Sequence, residues 1–139
     1  YTQTRLSVLK PYQRTDTNAH DRNKQAELAQ GVTASVLISS ETGSNSLFTA
    51  IARLQPGSEL PLHTHSISEV IVPLSDTLIA TVENRRYRLG RLDALHAPAT
   101  IAHGLKNAGD AEAACFVAFA TGSPDREWVD GPGNVEERV

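Results

Sequence analysis

Short stretches in which apolar and polar residues alternate recur along most of the chain, separated by glycine, proline and asparagine turns. A period of two is the pattern of a half-buried β-strand, because successive side chains point to opposite faces of a sheet. The pattern predicts strands at 32–40, 47–54, 70–74, 77–83, 86–89, 92–97, 101–107 and 113–120, with an edge strand at 4–9. No helical pattern alternates with these strands, so the sequence predicts an all-β sandwich or barrel.

The chain has 139 residues, a length typical of one domain. We expect that single domain to have three parts, namely an N-terminal arm over 1–31, a β-barrel core over 32–120 and a C-terminal tail over 121–139. The polar run at 21–30 is compatible with a short helix or with an irregular arm. Trp128 is the only large apolar residue of the tail, and we expect it to anchor the tail to the barrel or to a neighbouring subunit.

The charge balance excludes some classes of partner. Thirteen Lys and Arg against sixteen Asp and Glu give a net charge of −3, so no broad cationic field for nucleic acid is expected. Four arginines cluster between 85 and 91, where a solvated hairpin tip explains them.

The single cysteine bears on the compartment. Cys115 excludes an intrachain disulfide, and its place in the apolar run 113–120 favours core packing over nucleophilic catalysis. That run, the longest in the chain, is too short to span a bilayer. Because no charged-then-apolar leader opens the sequence, we expect a cytoplasmic protein with no membrane partner.

Candidate chemistry is concentrated between Gly57 and Glu69. His63 and His65 stand two apart and Glu69 shares their parity, so on an extended backbone all three can point to one face. Imidazole and carboxylate are ligands for divalent zinc, iron, nickel and manganese. Alone, a His-x-His pair is better explained as an exposed loop, but a second histidine segment lies about forty residues downstream.

These segments resemble the two motifs of the cupin superfamily. The first motif, Gly-x5-His-x-His-x3-Glu, is met at every fixed position, and the second is met in part by Asp93, Pro98, His103 and Asn107. Leu92, Thr100 and Asp76 stand where the motifs have glycines. The resemblance covers about 57–107 and implies a jelly-roll barrel over about 47–120. It also implies a metal ion held by His63, His65, Glu69 and His103.

His96 is an alternative fourth ligand. If 98–101 is a tight turn, the strands on either side form an antiparallel hairpin in which His96 lies opposite His103. Such cross-strand pairs have Cβ atoms about 4.5–5.5 Å apart, close enough for two imidazoles to share an ion. Glu69 would then be free to act as general base or to hold a ligand in place. A histidine hydrogen-bonded in the barrel wall explains His96 equally well.

The expected barrel wall is apolar and carries no cluster of Lys or Arg, which argues against phosphorylated substrates. The wall residues are Phe48, Ile51, Leu60, Val72, Ile79, Leu95, Leu105, Phe116 and Phe119. A small hydrophobic polyketide or aromatic substrate fits such a wall. The cofactor expected is one divalent metal ion, with zinc favoured, iron(II) next, and nickel or manganese as further options.

Three functions remain open. The chain looks like the small single-domain cupins of aromatic polyketide pathways, such as the resistomycin-type cyclase, which implies a metal acting as Lewis acid for aldol cyclisation in antibiotic biosynthesis. An Fe(II)-dependent dioxygenase of an aromatic compound is the first alternative, and a non-catalytic small-molecule-binding cupin is the second. Resemblance to cupins also implies a homodimer, to which the edge strand at 4–9 could contribute.

Overall fold

The computed structural model describes residues 24–129, in which two antiparallel sheets face each other across an apolar core. The strands are β1 Ala26–Ala29, β2 Val32–Ile38, β3 Phe48–Leu54, β4 Glu59–Thr64, β5 Glu69–Pro73, β6 Leu78–Val82, β7 Arg85–Leu89, β8 Leu95–Ala97, β9 His103–Asn107, β10 Ala113–Phe119 and β11 Glu127–Trp128. One sheet has the order β1-β2-β3-β10-β5-β8 and the other β11-β4-β9-β6-β7. The predicted all-β jelly roll is confirmed.

The strands form where the alternation predicts them, and each core strand from β2 to β10 overlaps a predicted segment or the extended run 57–69. The helical alternative for 21–30 is wrong over Ala26–Ala29, because these residues form β1 and pair with β2. Gly31, with φ of 79°, makes the tight turn between them. The predicted strand at 4–9 lies outside the described residues, as do tail residues 130–139.

The core lies between the two inner faces. At the centre of the six-stranded sheet, β10 pairs with β3 on one side and with β5 on the other. Its alternate residues Ala113, Cys115, Val117 and Phe119 are buried, so the predicted packing role of Cys115 is confirmed. Burial raises the pKa of the Cys115 thiol to about 12, which keeps it protonated and unreactive.

The crossover between β8 and β9 differs from the predicted hairpin. Residues 98–101 do form a turn, in which the Ile101 N–H donates to the Pro98 carbonyl at 3.2 Å. However, β8 pairs with β5, whereas β9 lies between β4 and β6 in the other sheet. The hairpin is therefore wrong, because the turn carries the chain from one layer of the sandwich to the other.

Two residues that replace motif glycines adopt the left-handed conformation that glycine favours. Leu92 has φ of 70° and Thr100 has φ of 67°. For an L-residue this conformation costs roughly 1–2 kcal/mol, since Cβ approaches the carbonyl oxygen. The turns thus keep their shape without glycine, and the Thr100 N–H donates to the His65 carbonyl at 2.7 Å.

Across residues 24–129, no helix has the length and apolar character needed to cross a membrane.

Candidate metal centre

Four predicted ligands meet between the two sheets, at one end of the sandwich. His63 is the last residue of β4 that faces the cavity, and His65 follows just beyond that strand. His103 begins β9. His63 and His103 are direct cross-strand partners, which places their rings on one face. Glu69 begins β5 and reaches the group from the opposite sheet. All four residues are buried.

A glycine permits this close strand pairing. A Cβ on Gly104, the residue after His103, would lie 2.7 Å from the Leu60 carbonyl oxygen. The β4–β9 register shifts between Leu60 and His63, beside this close contact. The shift places His63 opposite His103, so the local irregularity serves the site.

The side chains are packed as a single polar group. The Glu69 Oε1 atom lies 2.9 Å from His103 Nε2 and 3.3 Å from His65 Nε2. The three imidazole rings have centroids 4.4 to 5.2 Å apart. One nitrogen or oxygen from each of the four residues lies within 4.8 Å of the others.

Backbone carbonyls fix the tautomer of every histidine in the group. The Nδ1 atoms of His63 and His103 lie 2.7 Å from the Pro61 oxygen and 3.0 Å from the Ile101 oxygen. His65 Nδ1 lies 2.5 Å from the carbonyl oxygen of Asp125. A carbonyl can only accept, so Nδ1 carries the proton and donates it. In a neutral ring, Nε2 then keeps its lone pair for the group. The 2.9 Å hydrogen bond from His103 Nε2 to Glu69 requires a second proton on that ring, whose place a metal ion could take.

The pKa shifts of Glu69 and His63 favour the forms that bind a metal, whereas the shift of His65 favours a proton with which a metal ion would compete. Burial alone would raise the pKa of the Glu69 carboxyl, but the hydrogen bond with His103 and the nearby His65 lower it. Burial opposes protonation of His65 too, yet its interactions with the Glu69 carboxylate raise that pKa. At His63 burial dominates and lowers the pKa to about 4. Metal ligation requires an ionised carboxylate and neutral imidazoles.

One atom in the group lacks a hydrogen bond. His65 Nε2 is buried, and its contact with Glu69 is an ion-pair distance without hydrogen-bond geometry. A buried polar atom without a partner costs about 1–3 kcal/mol, so such atoms are uncommon. A cation among the three Nε2 atoms and the carboxylate would satisfy it. The donor set therefore fits a divalent metal ion.

His96 does not join the group. It lies on β8 opposite Val70, with its side chain exposed, whereas the neighbouring Ala97 is buried opposite Glu69. The proposal of His96 as a rival fourth ligand is wrong, because the hairpin on which it depended does not exist. On β8 it stands next to the buried Ala97, so its side chain points to the opposite face, away from the interior.

A segment of the tail covers the group, and sequence reasoning missed it. Residues 121–129, here called the strap, pair with β4 through β11, where Trp128 lies opposite His63. The Asp125 carboxylate accepts hydrogen bonds from the Ser66 N–H at 2.9 Å and from its hydroxyl at 2.8 Å. This contact holds the Asp125 carbonyl against His65.

The other end of the strap is fastened as well. The Ser123 hydroxyl lies 2.8 Å from the Ser40 hydroxyl, and the Ser40 N–H donates to the Gly122 carbonyl at 2.9 Å. A Cβ on Gly122 would lie 2.2 Å from the Ser44 carbonyl oxygen, so only glycine fits this approach. The predicted anchoring role of Trp128 agrees with its pairing to the barrel.

A cavity of about 590 Å³ opens onto the four-residue group. Phe48, Leu60, Leu105 and Phe119 line it as predicted, together with Ile71 and Val117. Leu95 does not line it and packs against the core instead. Four other predicted wall residues do not line it either, namely Ile51, Val72, Ile79 and Phe116. Along their strands they alternate with inward-facing residues such as Ile71 and Val117, and they therefore face outwards.

Comparison with known proteins agrees with this geometry. A Germin-like protein of Morus alba is 35% identical over 96 residues, which cover 63% of this chain and 46% of that protein. The chain thus spans less than half the length of this relative.

Solved structures share the fold. An oxalate decarboxylase of Lactobacillus farciminis superposes with a TM-score of 0.69 and 20% identity, over 76% of this chain and 33% of that chain. An oxalate oxidase gives a TM-score of 0.68 and 21% identity, over 80% of this chain and 62% of that one. At such identities these structures show the common fold alone.

The family model described as the Cupin domain matches residues 50–119, about half of the chain. This span includes both histidine segments, most of β3 and all of β4 to β10, which carry much of the cavity and the four-residue group. The protein belongs to the cupin family.

Proposed function

We propose that this protein is a metal-dependent enzyme that acts on an apolar, oxygen-bearing substrate of the polyketide or aromatic class. The observation that carries the proposal is the apolar cavity opening directly onto His63, His65, Glu69 and His103. Its volume of about 590 Å³ falls in the usual range for small-molecule pockets, roughly 300–1,000 Å³.

The donor set narrows the choice of metal. Four protein ligands would complete the tetrahedral shell that zinc prefers, whereas iron(II), manganese and nickel also accept larger shells that leave room for a substrate. The presence of Glu69 in the group therefore favours these ions over zinc, unless the carboxylate acts as a base. A bound divalent ion would supply a Lewis acid for carbonyl groups or, if redox-active, electrons for dioxygen.

The chain's own residues prepare the site for either chemistry. The carbonyls of Pro61, Ile101 and Asp125 orient the three imidazoles before any ligand arrives, so little reorganisation is needed. The apolar wall excludes water from the reacting end of the substrate. Glu69 holds a negative charge beside His103, and as a base it would remove a proton next to a carbonyl group.

Aldol cyclisation of a polyketide is the first candidate reaction. It needs a cavity that folds an apolar chain with several carbonyl groups and a carboxylate that can accept a proton. The volume of the cavity and the presence of Glu69 in its lining support this candidate. The cyclase function would place the protein in the synthesis of an aromatic natural product.

Oxidation of an aromatic compound by dioxygen is the second candidate, and the location of Glu69 favours it. A set of histidines with one carboxylate is typical of non-haem iron oxygenases. Because His96 lies outside the group, the purely nitrogen-based ligand set does not form.

Oxalate is a poor fit to the cavity, although the structural neighbours include oxalate enzymes. A small dianion calls for fixed cations around it. The described lining is mainly aliphatic and aromatic, with Arg126 as the one Lys or Arg among its residues. A non-catalytic binding role remains the third candidate, and the intact four-residue group argues against it.

Metal analysis combined with oxygen uptake tests the proposal. Protein purified without chelator should contain about one divalent ion per chain, and Glu69→Gln should lower either the metal content or the turnover. Metal retained with activity lost would assign Glu69 as a base. Oxygen consumption linked to turnover of aromatic substrates would reject the cyclase and favour the oxygenase. A protein that binds no metal under any loading condition would overturn the proposal.

A further inference from the structure

We propose that Arg126 is a specificity-determining residue that binds an anionic oxygen group at the mouth of the cavity. The ligand would then be an amphiphile, with an apolar body inside the barrel and one acidic end, such as a carboxylate, at the strap. This inference builds on the proposed function, since it concerns the ligand of the same cavity.

Strand parity directs Arg126 towards the cavity. Trp128 is the cross-strand partner of His63, so its side chain lies on the same face of the sheet as that buried imidazole. The two rings have centroids 5.5 Å apart. Arg126 precedes Trp128 by two positions on extended backbone and therefore shares its face. Consistent with this placement, Arg126 lines the cavity.

The indole ring holds the guanidinium in place. The Cζ atom of Arg126 lies 5.3 Å from the centroid of Trp128, a cation–π distance. A guanidinium on an aromatic face keeps its N–H edges free to donate. Those edges match a carboxylate in two parallel hydrogen bonds, a geometry that lysine cannot supply.

The charge of Arg126 has no partner within the described part of the chain. None of the ion pairs among residues 24–129 involves it. The adjacent Asp125 carboxylate is engaged by Ser66, and Glu69 belongs to the four-residue group. Glu41 also lines the cavity, from the other loop at its mouth. An unpaired cation beside an apolar cavity is the arrangement expected for an apolar acid.

Binding of a matched pair of probes tests this inference. Octanoate and octanamide have the same chain and nearly the same shape, and they differ in charge. Trp128 is the only tryptophan of the chain, and its position at the mouth makes its fluorescence a direct reporter. Metal-loaded and chelator-treated protein are both titrated, because a carboxylate could also bind the metal.

We expect octanoate to bind at least about 10-fold tighter than octanamide, since charge-assisted hydrogen bonds are about twice as strong as neutral ones. The preference should persist in chelator-treated protein and disappear in Arg126→Gln. Arg85→Gln, which removes the same charge at the start of β7, on the opposite edge of the sheet from β11, should leave it unchanged. Circular dichroism checks that both variants are folded.

Equal affinity for the two probes, absence of binding by both, or a preference retained in Arg126→Gln would overturn this inference. A preference that disappears when the metal is removed from the unmutated protein would also reject it, because the metal would then be the anion site. These outcomes are distinct from failure of the proposed function. A protein without metal or turnover can still show the Arg126-dependent preference, and an active metalloenzyme can lack it.

Discussion

Asn107 and His65 are both buried polar residues, and their surroundings differ in one respect. The Asn107 side chain is 0% exposed, its Nδ2 donates to the carbonyls of Leu54 and Ala111, and its Oδ1 accepts from Thr77 and Gly109. His65 is 4% exposed, and its Nε2 makes no hydrogen bond. Both residues lie in the motif segments, so the motifs alone do not separate their roles.

The difference teaches how to distinguish a polar group that holds the fold from one that awaits a ligand. Asn107 uses its full hydrogen-bonding capacity to join the end of β9 to the end of β3 and to the turn before β10. The group around His65 is oriented on the outer side by backbone carbonyls and is left incomplete on the inner side. Unsatisfied capacity in an otherwise well-bonded interior is a signal of function.

Asn107→Leu should produce the largest effect on the fold. It removes four hydrogen bonds and leaves buried carbonyls unpaired, at about 1–3 kcal/mol for each orphaned group, so we expect a loss of about 4 kcal/mol in the free energy of unfolding. Urea denaturation of chelator-treated protein measures it. The folded fraction should keep its metal affinity. A loss below about 1 kcal/mol would remove the contrast with His65.

His65→Leu, which also replaces a buried polar residue by leucine, should have the opposite effects, so that metal affinity is lost and stability is largely kept. Metal affinity should fall by more than about 100-fold. Loss of a residue that only orients a metal ligand usually costs about 10- to 100-fold, so a larger loss identifies a direct ligand. The metal-free protein should lose only about 1 kcal/mol in its free energy of unfolding, since the substitution removes one hydrogen bond, from Nδ1 to the Asp125 carbonyl, and Nε2 makes none. Competition with a chromophoric chelator measures the affinity. Unchanged metal affinity would refute the ligand role of His65.

Asp125→Ala tests the contact that orients His65. Without its carboxylate the strap loses both hydrogen bonds to Ser66, and the carbonyl that fixes the His65 tautomer becomes less well placed. We expect metal affinity to fall by about 10-fold. Asp110→Ala is the matched control, because Asp110 is an exposed acid in the turn before β10. Equal effects of the two substitutions would indicate a general charge effect.

His96→Ala should have the smallest effect. The exposed imidazole faces away from the group, so metal content should stay stoichiometric and stability should change by less than about 0.5 kcal/mol. Elemental analysis and thermal unfolding measure the two quantities. Loss of metal in this variant would contradict the strand pairing of β8 with β5.

Much of the fold and the identity of the four-residue group could be predicted from sequence. Alternation with a period of two places the strands, and the same period puts His63 and His65 on one face. His103 required the second motif, since no local pattern links it to a residue forty positions earlier. These predictions succeed because they depend on the direction of side chains within one strand.

The remaining predictions failed where the answer depends on which strands become neighbours or on which face of a strand turns towards the cavity. His96 and His103 are close in sequence, but the turn between them crosses from one sheet to the other. Ile51 and Phe116 read as apolar wall residues, yet their position on the strand turns them outwards. The contact of Asp125 with His65 joins residues 60 positions apart, and nothing in the local sequence of either announces it.

The fastening of the strap to the metal group has a thermodynamic consequence. If the Asp125 carbonyl makes His65 a better ligand, then an ion on His65 must bind the strap more tightly by an equal free energy. Occupation of the metal site and closure of the cavity mouth are then coupled. Loss of the ion would loosen the mouth, and the protein would report its metal status through the accessibility of its own C-terminal segment.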